Sequence, residues 1–295
     1  MTFLLLVLVS AVCALAVAGI ARRWSAAGAG PPTAGEAARE AGAAVRRRHG
    51  PLAARIDPAV ATGLALTLAG AAIVLGGVLV GVLAYLVRRN GELVQIDRSV
   101  ARWGHEHDTA VSDWCLNAVT HLGEPRVVIV LAALLAIEET IRTRSRWVIP
   151  FVAVVVAGNG ILTTLVKELA DRVRPELNPI AATLGPSFPS GHSSWSMAFW
   201  ATAALLLSQG RPRNVRVAIF AAAAALIVLV AGSRVLLSVH WLSDVLAGLA
   251  LGAAWFSVCA IAFGGRVLRF GAAAETAERE AGAGAAALPR EELRL

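Results

Sequence analysis

Apolar runs almost without charges recur along the chain, and short polar segments separate them. Six runs are about as long as a bilayer core is thick, since a helix rises about 1.5 Å per residue and the core measures about 30 Å. They are 3–21, 59–87, 147–166, 193–209, 217–233 and 241–265. A seventh run, 127–137, is short for a span and is equally typical of a buried or partial helix. The pattern predicts an all-α, polytopic membrane helix bundle with seven helices if the short run is counted.

Lysine and arginine are unevenly distributed between the segments that connect these runs. With seven spans and the amino terminus outside, the cytoplasmic segments hold 18 of the 27 basic residues. These segments are 22–58, 138–146, 210–216 and 266–295. Because short cytoplasmic loops retain positive charge, we predict this orientation in the plasma (inner) membrane, and the alternation requires run 127–137 to be a span.

Composition divides the chain into four predicted parts. Residues 1–24 form an N-terminal transmembrane helix, for which a signal peptide is the alternative. Residues 25–58 and 266–295 are rich in Ala, Gly and Arg, and we expect a basic, flexible cytoplasmic linker and a flexible cytoplasmic tail. Residues 59–265 hold the other six spans and form the predicted six-helix core. Within this core, the charged segment 88–125 is predicted to be an amphipathic lid on the membrane surface.

Composition also excludes broad classes of protein. A hydrophobic content of 57% with only 16% charged residues leaves too little polar surface for a water-soluble enzyme. The net charge of +7 could indicate nucleic-acid binding, but the basic residues lie in clusters between apolar runs, so no nucleic-acid partner is expected. The three cysteines lack metal-ligand spacing. All basic residues but one are arginine, which singles out Lys167.

Nearly every unusual polar residue falls in one of three clusters, which the predicted topology places on the same side of the membrane. The clusters are 167–175, 189–192 and 233–244. In the first, Lys167 and Arg174 are seven residues apart and would share a helix face if the helix continued to Pro175. The alternative is a surface role, in which Lys167 pairs with Asp171 and the arginines contact lipid headgroups.

The other two clusters add a helix start and an oriented imidazole. Ser190 is a typical helix cap, so the amides of Gly191 and His192 would lie at a helix amino terminus, where anions bind. His240 and Asp244 are four residues apart and would stack on one helix face, with the carboxylate orienting the ring. An ordinary cap and a structural ion pair are the alternatives.

Arg234 adds a cation to the third cluster, and the combined set of cations, helix start and oriented imidazole is what phosphoryl transfer requires. The three clusters form the motifs K-x6-R-P, P-S-G-H and S-R-x5-H-x3-D without a departure. In this order and spacing they resemble the type 2 phosphatidic acid phosphatase (PAP2) superfamily. The resemblance covers about residues 59–265 and leaves the first helix as an extra element.

The resemblance implies a role for each motif residue. His240 would attack phosphorus and form a phosphohistidine, with Asp244 orienting it. His192 would protonate the leaving oxygen and then activate water. The implied phosphate ligands are Lys167, Arg174, Ser190, Gly191 and Arg234, with Arg172 as a second-rank candidate. The family needs no metal or other cofactor, and none is expected here.

We therefore predict an integral membrane phosphatase that acts on a lipid phosphate or diphosphate at the outer membrane face. Phosphatidic acid, phosphatidylglycerol phosphate and a polyprenyl diphosphate are the candidate substrates, and the sequence does not separate them. A lipid phosphotransferase of the same superfamily is the nearest alternative, whereas the vanadium haloperoxidases that share the motif are soluble. A membrane transporter or non-enzymatic scaffold is the alternative from another class. The sequence makes no prediction of the oligomeric state.

Overall fold

The computed structural model describes residues 2–27, 61–89, 91–177 and 185–267. Within these ranges every regular element is a helix, which confirms the predicted all-α class. The helices are α1 Thr2–Ala27, α2 Ala61–Arg88, α3 Glu92–Glu106, α4 Ala110–Thr120, α5 Pro125–Thr143, α6 Val148–Ala170, α7 Gly191–Leu207, α8 Arg213–Leu236 and α9 Leu242–Val267. A 3-10 turn, His121–Gly123, joins α4 to α5. Apart from their helical ends, the predicted linker 25–58 and tail 266–295 lie outside the described residues.

Five of these helices are long and apolar enough to cross a membrane, namely α1, α2, α6, α8 and α9. A sixth span results if α4 and α5, which are bent by 51° at their junction, are counted together. The short run 127–137 lies within α5, a helix of 19 residues. α7 has 17 residues, all of them buried or half-buried among other helices. Each predicted run thus corresponds to a helix, but the described residues hold five or six candidate spans instead of the predicted seven, because α7 is too short to be counted as one. The chain is a multi-pass membrane protein.

The apolar residues of these helices are divided between the core of the bundle and its outer surface. The largest core lies between α5, α6, α7 and α9, where Phe151 and Phe199 are buried. Other large side chains point outward, including Leu134 and Ile161, which are 59% and 62% exposed. Outward apolar side chains are expected where helices face lipid, because the bilayer solvates them as well as a protein core does.

Glycines on α9 allow it to approach the start of α7 closely. A Cβ atom at Gly248 or Gly252 would collide with the carbonyl oxygens of Ser190 and Ser194 on α7. The amide of Ser190 also donates to the carbonyl oxygen of Asp244, 2.9 Å away. The first turns of α7 and α9, which carry two of the three motif clusters, are thereby fixed side by side.

Two further helices pack against α8. Leu6 of α1 lies so close to Gly232 that a Cβ atom there would collide with it, so the first helix is an integral part of the bundle. α3 lies against the end of α8, where Gly104 contacts the backbone of Leu236. α3 is amphipathic, with Val94, Asp97, Ala101 and Gly104 on its buried face. The predicted lid 88–125 is therefore built from α3 and α4, and its place at the membrane surface stays a prediction.

Candidate active site

Four helix ends and one loop bring the three motif clusters to the same end of the bundle. α6 leads into the loop 171–177, α8 ends nearby, and α7 and α9 begin there. Hydrogen bonds connect the loop to the residues before and within α9. Electrostatic interactions connect Lys167 with Arg174, Asp244 and Arg234. The structure therefore unites motif residues that are far apart in the sequence.

Lys167 and Arg174 both donate to the carbonyl oxygen of Pro186. Lys167 Nζ lies 2.6 Å from this oxygen and Arg174 Nη2 lies 3.3 Å from it. The predicted shared helix face is wrong, because α6 ends at Ala170 and Asp171 adopts a left-handed conformation with φ of 42°. Arg174 reaches Lys167 through the loop instead. Asp171 is exposed and makes no ion pair with Lys167 in the part of the chain that the structure describes.

His240 lies at the centre of the site and is 2% exposed. Arg174 Nη1 donates to His240 Nε2 at 3.2 Å, since a guanidinium has no acceptor. We therefore assign the lone pair to Nε2 and the ring proton to Nδ1, which lies 3.5 Å from Asp244 Oδ2. Burial lowers the pKa of His240 to about 4, although the Asp244 carboxylate acts in the opposite direction. The ring is consequently neutral at pH 7, as a nucleophile must be.

Asp244 approaches His240 in a different way from the predicted stacking. α9 begins at Leu242, so His240 precedes the helix and the two side chains do not share a helix face. Asp244 lies in the first turn of α9, where its Oδ2 accepts from the amide of Trp241 at 3.0 Å. The distance of 3.5 Å between Asp244 Oδ2 and His240 Nδ1 is longer than a hydrogen bond.

Arg174 and Arg234 bring two buried guanidinium groups to the site, 8% and 7% exposed. Arg174 is fixed by the carbonyl oxygens of Gly185 and Val239, each 2.8 Å from a guanidinium nitrogen. Arg234 donates to Thr120 Oγ1 at 2.8 Å, and its Nε is buried without a hydrogen-bond partner among the described residues. An unpaired buried charged donor favours an anionic ligand, because it has lost its hydration.

The start of α7 presents main-chain donors to the same region. Ser190 is the N-cap, and its Oγ accepts from Ser193 Oγ at 2.9 Å and from the Ser193 amide at 3.5 Å. The predicted helix cap is confirmed. Gly191 and His192 are the first helical residues, so their amides have no acceptor within the helix. The half-buried His192 ring interacts electrostatically with His240.

Arg172, the second-rank phosphate candidate, binds two carboxylates instead. Its Nη1 lies 2.5 Å from Asp244 Oδ1 and its Nη2 lies 2.8 Å from Asp97 Oδ2. The Arg172 side chain is 9% exposed, and both carboxylates are fully buried. Ser243 completes the network, because its Oγ and its amide donate to Asp97 at 2.5 and 2.9 Å. Arg172 therefore connects the loop of Arg174 to α9 and α3, with both terminal guanidinium nitrogens bound to carboxylates, and a direct contact with phosphate stays a prediction.

Asp97, Ser243 and Thr120 are members of the site that the sequence motifs do not include. A signal was available for Asp97, since it is a carboxylate on the otherwise apolar face of an amphipathic helix. Such a carboxylate needs a charged or hydrogen-bonding partner when the face is buried. Thr120 and Ser243 have no comparable signal, because small hydroxyl side chains are common in apolar helices.

The described residues hold no group of three or more His, Cys, Asp or Glu side chains that could bind a metal ion. His107 belongs to no such group, and its ring stacks on Trp103 at a ring distance of 4.9 Å, with Nδ1 2.9 Å from the Trp103 carbonyl oxygen. The absence of a metal requirement stays a prediction and is tested below.

Comparison with known proteins assigns the family. The sequence model of the PAP2 superfamily matches residues 148–267, which extend from α6 to α9 and contain all three motif clusters. Phosphatidylglycerophosphatase B of Bacillus subtilis is 31% identical over 144 residues, which are 46% of this chain and 68% of that protein. The chain belongs to the PAP2 superfamily.

Other PAP2 relatives support the same assignment. Decaprenylphosphoryl-5-phosphoribose phosphatase of Mycobacterium tuberculosis is 32% identical over an alignment that spans 50% of this chain and 78% of that protein. Lipid A 1-phosphatase of Rhizobium johnstonii is 37% identical over an alignment that spans 38% of this chain and 46% of that protein. The crystal structure of a transmembrane PAP2 type phosphatidylglycerolphosphate phosphatase from Bacillus subtilis matches with a TM-score of 0.59 at 25% identity, covering 63% of this chain and 92% of that one. The predicted family and enzyme class, a membrane phosphoric monoester hydrolase, are confirmed.

Proposed function

We propose that this protein hydrolyses a lipid phosphate or diphosphate at the outer face of the plasma membrane through a phosphohistidine intermediate. One observation carries the proposal, namely the convergence of a buried neutral imidazole with basic side chains and a helix amino terminus. Phosphoryl transfer depends on such positioning and charge stabilisation around the phosphoryl oxygens. Phosphatidic acid, phosphatidylglycerol phosphate and a polyprenyl diphosphate are the candidate substrates, and the names of the relatives support this class.

In the first half-reaction, His240 Nε2 attacks phosphorus and the bond from phosphorus to the leaving oxygen breaks. The protonated His192 ring donates a proton to that oxygen and becomes neutral. Burial and the nearby Arg234 lower the pKa of His192 in the free site, and the negative charge of the bound phosphate favours the protonated ring. Arg174 turns its Nη1 from His240 Nε2 to a phosphoryl oxygen, which exposes the lone pair. The His240 ring becomes positively charged, and the Asp244 carboxylate balances this charge as the contact to Nδ1 shortens.

Fixed donors stabilise the three phosphoryl oxygens. Lys167, Arg174 and Arg234 contribute positive charge, and the amide of Gly191 contributes a donor at the start of α7. Ser190 Oγ accepts from Ser193, so its own proton is available for a phosphoryl oxygen. Apart from Arg174, which turns from His240 to the phosphate, these donors are in place before the reaction and therefore need little rearrangement in the transition state.

In the second half-reaction, the neutral His192 removes a proton from water while the water oxygen attacks phosphorus. The bond from His240 Nε2 to phosphorus breaks, and inorganic phosphate leaves. Both histidines return to their starting protonation states. An assay of released phosphate against labelled lipid or sugar acceptors tests this step, because transfer to an acceptor in place of release would identify a phosphotransferase.

We expect the purified protein to keep its activity in excess EDTA. The reason is that the nucleophile is an imidazole and the counter-charges are side chains, so no step needs a metal-bound water. Phosphate release from phosphatidic acid in detergent micelles measures this, with a zinc-dependent phosphatase treated in parallel. Loss of activity that added Mg²⁺ or Zn²⁺ restores would contradict the prediction.

We expect a cysteine at position 176 to react with a membrane-impermeant maleimide in intact spheroplasts, and a cysteine at position 211 to react only after permeabilisation. Glu176 lies in the loop beside Arg174, whereas Arg211 lies between α7 and α8, at the other end of both helices. Both positions are exposed. The background is a chain whose native cysteines, Cys13, Cys115 and Cys259, are replaced by serine. The reverse labelling pattern would overturn the outward-facing site.

A further inference from the structure

We propose that Arg98 and Arg102 of α3 form a second anion-binding subsite, which selects lipids that carry another phosphate group next to the one that is hydrolysed. The inference rests on the proposed function, because it specifies the substrate class of the same site. It goes beyond the motifs, since neither arginine belongs to them.

The two arginines line a groove beside the nucleophile, which we call the α3 groove. Its volume is about 920 Å³, and its walls are α3, with Arg98 and Arg102, and the loop that carries Arg174. Arg174 also donates to His240 Nε2 at 3.2 Å. One side chain thus borders both the nucleophile and the groove, so a phosphate held by Arg174 would border the groove as well.

The two arginines of the α3 groove form no salt bridge with a carboxylate among the described residues. Arg98 and Arg102 are one helical turn apart and exposed. Asp97 is buried on the inner face of α3 and is already bound by Arg172. Glu176, an exposed carboxylate, also lines the groove but pairs with neither arginine. Like charges one turn apart destabilise a helix, and a bound anion would relieve this repulsion.

Apolar side chains of the α3 groove suit the hydrocarbon end of a lipid. Val87, Val94, Leu177 and Trp241 contribute to the lining. The Trp241 indole is fixed in place, because its Nε1 donates to the carbonyl oxygen of Val173 at 2.8 Å. A groove with guanidinium groups and apolar side chains matches an amphipathic ligand whose polar part is anionic.

A phosphate bound by Arg98 and Arg102 could come from the substrate itself or from the headgroup of a neighbouring anionic lipid. Guanidinium groups recognise phosphate oxygens in either case. Continuity with Arg174 favours the substrate, because a diphosphate or a glycerol-linked phosphate carries its second phosphate close to the reacting one. Phosphatidic acid and prenyl monophosphates lack that group and would leave the subsite unused.

The test compares lipids that carry two phosphates with lipids that carry one, in neutral phosphatidylcholine and detergent micelles. Farnesyl diphosphate is paired with farnesyl monophosphate, and phosphatidylglycerol phosphate with phosphatidic acid. In the Arg98→Gln/Arg102→Gln variant, we expect kcat/KM for the two-phosphate lipids to fall at least about tenfold and that for the one-phosphate lipids to stay within about twofold. The matched control is Arg89→Gln/Arg126→Gln, which removes two arginines that do not line the groove. It should preserve the preference.

Each other outcome has a defined meaning. Equal losses for both members of a pair would overturn the subsite, as would a loss that occurs only when phosphatidylglycerol is added to the micelles, since the ligand would then be a neighbouring headgroup. Wild-type turnover of phosphatidic acid alone would also overturn the subsite but would leave the proposed function intact. If the wild type hydrolysed none of the lipids and formed no phosphoenzyme, the proposed function would fail first.

Discussion

Replacement of His240 by alanine will reduce turnover of every lipid phosphate by roughly 10³-fold or more and will remove the covalent phosphoenzyme. The reason is that the reaction proceeds through Nε2 of this ring, whose lone pair faces Arg174 at 3.2 Å. Water could attack phosphorus directly in the variant, but without the oriented imidazole it would be far less effective. Steady-state phosphate release measures the loss, and ³²P-labelled substrate quenched in alkali detects the acid-labile label on the protein.

The control for the His240 variant must separate chemistry from folding, because the ring is buried and its removal leaves a cavity. His240→Asn retains an acceptor for Arg174 and fills more of the space, so it should fold like the wild type and still lack the label. His105→Ala removes an exposed histidine of α3 and should retain full activity. Substantial activity or a retained label in a folded His240→Ala protein would eliminate the phosphohistidine mechanism.

Asp97→Asn will lower kcat by about 10- to 100-fold while KM changes little. Such an effect is typical of residues that orient a reacting group without contacting the substrate. Asp97 does not touch the substrate in the proposed mechanism, so it is a positioning residue. With the carboxylate removed, Arg172 would pair with Asp244 alone, and the Asp244 carboxylate would balance the charged His240 ring less well. Ser243, which donates twice to Asp97, would also lose its anionic partner.

The measurement for Asp97→Asn is the single-turnover rate of phosphoenzyme formation. A positioning role predicts a lower rate constant with the normal amount of phosphoenzyme, whereas partial unfolding would lower the amount and leave the rate unchanged. Asp171→Asn is the matched control, because Asp171 is exposed and asparagine tolerates its left-handed conformation. Arg172→Gln should slow the same step, and the double variant should lose less than the two single losses combined. A wild-type rate in Asp97→Asn would show that the buried network is only structural.

The sequence predicts the positions of the helices correctly, but it predicts the local geometry of the site residues less well. Run 127–137 was the weakest candidate, because charges shorten it, yet α5 extends past them to Thr143. The proximity of Lys167 to Arg174 and of His240 to Asp244 holds, but the predicted helical spacing does not explain it. Both pairs contain a helix end, and helix ends are where a periodicity argument is least informative.

The sequence alone determined the membrane class, the helices and the identity of the motif residues, because these depend on local properties. A backbone in lipid must satisfy its hydrogen bonds internally, so a long apolar run that faces lipid favours a helix. Tertiary structure decided which groups each motif residue contacts. Arg172 meets Asp97 across 75 residues and Arg234 meets Thr120 across 114, and no local pattern encodes such pairs. In a buried site each charge must find a partner, and that partner is set by which segments the packed helices bring together.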